Sequence, residues 1–302
     1  MVAIGLLSLI VLALMAVFDS AQTAFRASVT QTDVLEGGRM TMDLMTADLR
    51  QMAPSGGHNG SATNGYDGSS PVNFYASNNW GYLPLDQPLT GSNPLQTNVN
   101  VLENFFILGR GNLNGQLAWF GTGYVVDTLA TNAINPLYRF YMTTNVAASP
   151  NPGPLFNAFM SVVALLQANT GNNGFPYTNW SHLVDGVVDL TVRAYDPHGI
   201  WMTNGYFLGY TNTPKNALFL PPALGECGFY LFSNTLPASV EIELGVLEDR
   251  ALARAESLGG GAQPPSPTAA PLQWQYLQQQ AGKVHLFRQR VTIPNVDSSA
   301  YQ

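Results

Sequence analysis

A chain of 302 residues is long enough to bury a substantial hydrophobic core without disulfides or a structural metal. Its single cysteine, Cys227, excludes an internal disulfide and every zinc site built from several cysteines. Only 10% of the residues are charged and the net charge is −7, so no basic face suited to nucleic acid is expected.

The N-terminal segment, residues 1–18, carries no charged side chain from Met1 to Phe18, and only Gly5 and Ser8 interrupt its apolar run. An 18-residue helix is about 27 Å long, slightly less than the ~30 Å hydrocarbon core of a bilayer. The segment therefore predicts a membrane helix that is a few residues short. Because no Lys or Arg precedes Arg26, it fits neither a signal peptide nor a simple anchor, and we expect the natural N-terminus to lie upstream.

Residues 19–53 are predicted to continue the same helix as its amphipathic half, because no proline occurs before Pro54. Apolar residues recur at spacings of seven, three, four and three on one helical face, which we expect to dock on the globular part; they are Leu35, Met42, Met45, Leu49 and Met52. Gly37 and Gly38 should cost this helix about 2 kcal/mol relative to alanines. Packing must therefore hold the helix at that point.

Residues 54–302 are predicted to form a β-rich head. The stretch from Pro54 to Pro94 is typical of loops and contains one strand candidate, VNFYA. Three runs rich in aromatic and β-branched residues predict strands: NFFILGR, QLAWFGTGYVVD and PLYRFYMTT. Between the first two, GRGNLNG predicts a hairpin turn, since it lacks the spacing and the lysine of a phosphate loop. A helix near residues 154–169 has the character of an insertion.

The second half of the head predicts one long strand in HLVDGVVDLTVRAYDPHGIW, closed by an Asp-Pro-His-Gly turn. In this strand Val188 and Leu190 should face inward, while Asp189 and Thr191 should face solvent. LPASVEIELGVL predicts a further strand that passes into a short charged helix. A Pro/Gly linker at 259–271 and a Gln-rich helix then lead to the last strand, KVHLFRQRVTIPN.

No catalytic or metal-binding pattern emerges, so we predict neither an enzyme nor a cofactor. Cys227 precedes an apolar strand, and we interpret it as a buried structural thiol. The four histidines are scattered, without a Gly-x-Ser-x-Gly or His-Glu-x-x-His pattern. Asp185 and Asp189 share a strand face but lie about 13 Å apart, too far for one ion. A solvated strand edge explains them.

The chain resembles the type IV pilin superfamily in a series of motifs that occur in order along nearly its whole length. The helix carries Arg39 followed by Asp48-Leu49-Arg50, which matches an Arg-x(8)-Asp-Leu-Arg pattern. The head matches at Tyr124 and Leu137-Tyr138-Arg139, at Val187, Leu190, Tyr195, Asp196, Gly199 and Trp201, and at Leu236, Pro237 and Val240. More narrowly, it is similar to the J-type minor pseudopilins of type II secretion and to W-type minor pilins. The family's Phe-Thr-Leu-x-Glu start is absent, and its glutamate has no counterpart before Asp19.

The resemblance implies an α+β fold in which a long N-terminal helix, with a membrane half and an amphipathic half, packs on an antiparallel β-sheet head. It also implies a structural subunit of a secretion pseudopilus or a type IV pilus. Such a subunit would have one span in the bacterial inner membrane and its head in the periplasm. Its partners would be other pilins or pseudopilins at a filament tip, and prepilin peptidase would cut its precursor. Small residues, Gly5, Ser8 and Ala13, would allow neighbouring helices to approach closely.

Two other classes stay open. A membrane-anchored adhesin or carbohydrate-binding module would use the Asn/Gly-rich loops and the tryptophans, which are Trp80, Trp119, Trp180, Trp201 and Trp274. A membrane-anchored hydrolase would need a positioned nucleophile and base, such as Cys227 within hydrogen-bond reach of a histidine.

Overall fold

The computed structural model describes residues 2–56, 71–78, 85–88, 97–128, 133–167, 178–203, 216–220, 226–258 and 272–301. In the first part of the N-terminal helix, the described side chains are those of residues 5, 10–22 and 25, followed by 34–50. Met1, His58, Trp80 and the predicted linker at 259–271 lie outside the described residues, as do the side chains of Ser8 and Trp274.

Four helices and twelve strands, numbered in chain order, make up the described regular structure. The helices are α1 (Val2–Arg50), α2 (Gly153–Gln167), α3 (Asp249–Ser257) and α4 (Leu272–Gln278). The first six strands are β1 (Val72–Asn78), β2 (Leu85–Pro88), β3 (Thr97–Asn100), β4 (Glu103–Leu113), β5 (Gln116–Val126) and β6 (Leu137–Asn145). The others are β7 (Trp180–Val184), β8 (Val187–Tyr195), β9 (Ala217–Phe219), β10 (Phe229–Phe232), β11 (Ser239–Leu247) and β12 (Val284–Thr292).

The strands form two main antiparallel sheets. The large sheet has seven strands in the order β7-β6-β5-β4-β1-β10-β9, and the small sheet has three in the order β12-β11-β8. Strands β2 and β3 pair separately. The β4–β5 hairpin turns at Asn114 and Gly115, both with positive φ (50° and 79°), which is the type I′ turn typical of two-residue hairpins.

Two hydrophobic cores lie on opposite faces of the large sheet. Because side chains alternate along a strand, Phe105 of β4 joins the core shared with α1 and the small sheet, while Phe106 joins the core under α2. The second half of α1 thus lies against the head. It is tied in further where Ala53, just past its end, donates its N–H to Leu108 O at 2.9 Å.

The protein is α+β with a large antiparallel sheet, but the predicted fold class is wrong in its membrane half. Within the described residues, no helix combines the length and the apolar character that a membrane span needs. The described apolar stretch at residues 10–18 ends at Asp19 and Ser20, and it is only about 14 Å long against the ~30 Å of a bilayer core. The same finding contradicts the expected placement as a single-pass inner-membrane protein.

The segment predicted as one long strand is two strands in different sheets. Gly186, with φ 73°, separates β7 of the large sheet from β8 of the small sheet. Its N–H donates to Ile134 O at 2.7 Å, and the neighbouring Val187 N–H donates to Asn135 O at 3.2 Å. These bonds fix the direction change that carries the chain from one sheet to the other.

The docking face of α1 differs by one position from the prediction. Met42, Met45, Leu49 and Met52 are at most 4% exposed and lie in the core, but Leu35 is 45% exposed. The buried position at that end is Val34, and the buried face continues through Gly38. At Gly38 the helix approaches β12 so closely that an added Cβ would lie 2.3 Å from the ring of Phe287.

We expect opposite effects from alanine at the two adjacent helix glycines. Gly37→Ala should raise the free energy of unfolding by about 1 kcal/mol, because a Cβ there meets nothing within 4 Å and the helix gains propensity. Gly38→Ala should lower it by about 1 kcal/mol, since the contact with Phe287 outweighs the same gain. Urea unfolding of both full-length variants measures the difference. Equal gains at both positions would mean that Phe287 does not fix this approach.

Candidate assembly surface

The first half of α1 presents apolar side chains that the head does not cover. Between residues 10 and 18 every described large apolar side chain is 46–68% exposed: Ile10, Val11, Leu12, Leu14, Met15, Val17 and Phe18. Phe25 is 71% exposed, and Gly5 and Ala13 are also exposed. A contiguous apolar surface of this kind marks an interaction site in soluble proteins. We call residues 10–18 with Phe25 the apolar rod.

The covered part of α1 begins further along. Val34 is the first described residue of the helix that is buried, and burial then recurs up to Met52. The apolar rod and the docked half thus belong to one helix, α1 (Val2–Arg50), with different environments. Arg39 and Arg50, two of the residues that match the family motif, are exposed on the docked half.

A buried polar cluster attaches the docked half to the large sheet. Asp48, which is 6% exposed, accepts a hydrogen bond from Arg139 Nε to Oδ2 at 2.8 Å and another from Arg139 Nη2 to Oδ1 at 2.9 Å. The Tyr124 hydroxyl donates to Asp48 Oδ2 as well. Such a two-pronged arginine–carboxylate contact fixes direction as well as distance. It therefore sets how α1 is rotated against the sheet.

Electrostatics keep this cluster in one protonation state. Burial raises the pKa of Tyr124 well above its ordinary value, and the charge of Asp48 adds to the effect, so the phenol stays protonated and donates. Burial on its own would lower the pKa of Arg139. Its hydrogen bonds to Asp48 and the Asp48 charge outweigh that effect and raise the pKa, so the guanidinium stays charged.

The cluster brings together three residues that belong to separate motifs of the family resemblance. Asp48 lies 76 residues from Tyr124 and 91 residues from Arg139 along the chain. Nothing in the local spacing pairs them, although each belongs to a motif quoted for the resemblance. No contact of Asp48 was predicted from the sequence.

The motif at the end of β8 forms a tight hairpin. Asp196 Oδ1 accepts hydrogen bonds from the N–H groups of His198 at 2.9 Å and Ile200 at 2.8 Å, and Gly199 has φ 78°. The turn places Trp201 opposite Tyr195. Each ring is covered by a guanidinium, Arg193 over Trp201 at 5.7 Å and Arg290 over Tyr195 at 3.8 Å. These residues stabilise the hairpin.

The remaining candidate residues do not assemble into a reactive centre in the part of the chain that the structure describes. Cys227 is buried, as predicted, and its thiol donates to Leu220 O at 3.5 Å. His182 contacts Asp185 at 2.8 Å on the surface. No group of three or more His, Cys, Asp or Glu in the described ranges is placed to hold a metal. Trp119 is 3% exposed and belongs to the core, which is not a sugar-binding position.

One prediction at this level is wrong. Asp189, expected on a solvated strand edge, is only 6% exposed, because residues of the 101–103 segment lie beside it. The alternation within β8 gave no sign of this covering segment, which comes from almost ninety residues earlier in the chain (88 residues between Val101 and Asp189).

Comparison with protein-family models, with curated proteins and with solved structures found no match to this chain.

Proposed function

We propose that the protein is a structural filament subunit of the minor pilin or minor pseudopilin type, and that it assembles by packing its apolar rod against helices of the same kind in neighbouring subunits. The observation that carries this proposal is one helix with two environments. Its second half is locked to the head, and its first half exposes apolar side chains on all sides.

Helix packing would remove that apolar surface from water. Fully burying one Leu, Val, Met or Phe side chain is worth about 1.5–3 kcal/mol. The rod has eight such side chains, and partial burial of several would offset the roughly 4–15 kcal/mol that association costs in lost freedom. Gly5 and Ala13 are small, so partner helices can approach closely there.

The docked half supports this role because it joins the rod to the head as one body. Asp48 holds the helix to the large sheet through Arg139 and Tyr124. The close approach at Gly38 holds it to the small sheet. A subunit that assembles through its helix must carry its head in a fixed orientation, and these contacts provide one.

Cysteine cross-linking in the native host tests the proposal. Full-length protein with Leu14→Cys, in the rod, is compared with Glu256→Cys, which is exposed on α3 of the head, and a bismaleimide is added to cells. The natural Cys227 is 4% exposed and is shielded from the reagent. We expect Leu14→Cys to give adducts with the N-terminal helices of other filament subunits, identified by mass spectrometry. Glu256→Cys should not give these adducts.

A matched pair of polar substitutions separates the rod from general stickiness. In the Leu14→Cys background, Phe18→Gln should abolish the adducts, whereas Met40→Gln should leave them. Met40 is 69% exposed and Phe18 is 66% exposed, but Met40 lies on the docked half. Loss of adducts in both variants, or no helix adducts at all, would contradict assembly through the rod.

A further inference from the structure

The two main sheets meet along a seam where each contributes a carboxylate to the backbone of the other. Residues 101–103, at the start of β4, run beside β8, and Leu190 N–H donates to Val101 O at 2.8 Å. One step further, Val192 N–H donates to Glu103 Oε2 at 2.6 Å. In the opposite direction, Val101 N–H donates to Asp189 Oδ1 at 3.2 Å. Two side chains thus continue a backbone ladder from one sheet to the other.

The carboxylates of this seam are buried. Glu103 is 0% exposed and Asp189 is 6% exposed. Glu103 Oε1 is buried and has no hydrogen-bond partner among the described residues. Thr191 Oγ1 donates to Asp189 Oδ1 at 3.4 Å, a long contact. An ionised carboxylate in such a place is costly unless a cation faces it or several donors reach it.

The charged groups around the seam are mostly acidic. Glu226 faces both seam carboxylates, and Glu243 also faces Asp189. Arg193 faces Glu103, but its Nε already donates to both carboxylate oxygens of Glu226 at 3.1 Å, and its Nη1 lies 3.8 Å from Glu241. Tyr75, on β1, is a further titratable group that interacts with Glu103. The guanidinium is therefore shared among several acids.

Burial is the largest influence on both seam carboxyls. It raises the pKa of Glu103 well above its ordinary value, and the neighbouring Glu226 adds to the effect. Burial likewise raises the pKa of Asp189 to about 7, with Glu243 and Glu226 contributing, against the lowering effect of the Val101 and Thr191 hydrogen bonds. Both groups thus hold protons at a pH where exposed carboxyls have lost them.

We propose that Glu103 and Asp189 form a proton-dependent seam, which holds the small sheet on the large sheet while both are protonated and loosens when they ionise. The sign follows from linkage. In the folded state these groups bind protons more tightly than in the unfolded chain, so their contribution to stability is fully present below about pH 4 and is lost as the pH rises through 7. This is opposite to the usual behaviour of surface carboxylates in ion pairs.

Hydrogen exchange on the full-length protein reads the seam directly. Protection of peptides containing Val101 and Val192 is measured by mass spectrometry between about pH 5 and pH 8.5, after correction for the intrinsic exchange rate. We expect protection to fall with rising pH in the wild type. In Glu103→Gln/Asp189→Asn, whose side chains stay neutral, protection should not change with pH. Glu256→Gln, exposed on α3, is the matched control and should behave as wild type.

Global stability supplies a second readout. Asp189 alone should raise the unfolding equilibrium constant roughly a thousandfold as the pH rises from 4 to 7, because about three pKa units separate its folded and ordinary values. Asp189→Asn should lack this component in urea unfolding. An unchanged pH dependence in the variant would overturn the proposal.

Two further measurements guard against a variant that folds poorly or a cation in place of the protons. Infrared spectra of the wild type at about pH 6 should show the carbonyl band of protonated carboxyl groups, and its absence would overturn the proposal. EDTA and added Ca²⁺ should leave the exchange profile unchanged. A profile that Ca²⁺ flattens and EDTA restores would mean that the seam binds a cation, and would also overturn the proposal.

Discussion

Replacing Arg139 with methionine is expected to lower the free energy of unfolding by about 3–5 kcal/mol. The substitution leaves the Asp48 carboxylate 6% exposed and without its cation, with the Tyr124 hydroxyl as its remaining donor in the cluster. An uncompensated buried charge costs this much in proteins where one partner of a buried pair has been removed. Urea unfolding of the full-length protein, followed by circular dichroism, measures the change.

Two controls isolate the buried charge as the cause. Arg288→Met removes a comparable arginine–glutamate contact with Glu241, but the Arg288 side chain is 57% exposed, so the loss should stay below about 1 kcal/mol. The double variant Asp48→Leu/Arg139→Met removes both charges and should recover most of the stability. If Arg139→Met costs no more than Arg288→Met, water reaches Asp48 and the cluster does not lock α1.

The elements that sequence patterns predicted well are those whose cause is local. The runs that form β4, β5 and β6 are rich in aromatic and β-branched residues, and the Asn114-Gly115 turn between β4 and β5 needs only residues that tolerate positive φ. Cys227 was predicted to be buried because an apolar strand follows it, and it is. Each of these predictions needed information from a few neighbouring residues.

The errors arose where distant segments decide. Periodicity places Leu35 and Val34 only 100° apart on α1, and only the position of β12 determines that Val34 is buried. Alternation along β8 correctly put Val188 inside, but it put Asp189 in solvent because the covering residues 101–103 belong to another part of the chain. The split at Gly186 depends in the same way on the loop at residues 134–135.

The candidate site divides along the same line. Its apolar rod is visible in the sequence, since seven large apolar side chains fall between residues 10 and 18. A hydropathy pattern shows that such a segment avoids water, but not what covers it. The cluster of Asp48, Tyr124 and Arg139 could not be predicted, because spacing rules for helices reach one turn and these residues are at least 76 positions from Asp48.

Phe159→Ala is expected to lower the free energy of unfolding by about 3–5 kcal/mol. From the sequence, α2 had the character of an insertion into the head, yet Phe159 is 0% exposed and lies on the large sheet. Its ring centre lies 5.5 Å from that of Phe106 and 5.9 Å from that of Phe140. Gly123 of β5 makes room for it, since a Cβ there would lie 2.4 Å from the ring. Removing the ring leaves a cavity that these neighbours cannot fill.

Ser161→Ala, on the exposed side of the same helix, separates loss of the core from a change in helix propensity. Its hydroxyl donates to Ala158 O, within the helix, and its removal should change stability by less than about 0.5 kcal/mol. Urea unfolding of both variants decides whether α2 belongs to the folding unit of the head. A cost below about 1 kcal/mol for Phe159→Ala would make α2 a detachable cover. A loss near ~4 kcal/mol would mean that the head needs α2 on one face of its sheet as it needs α1 on the other.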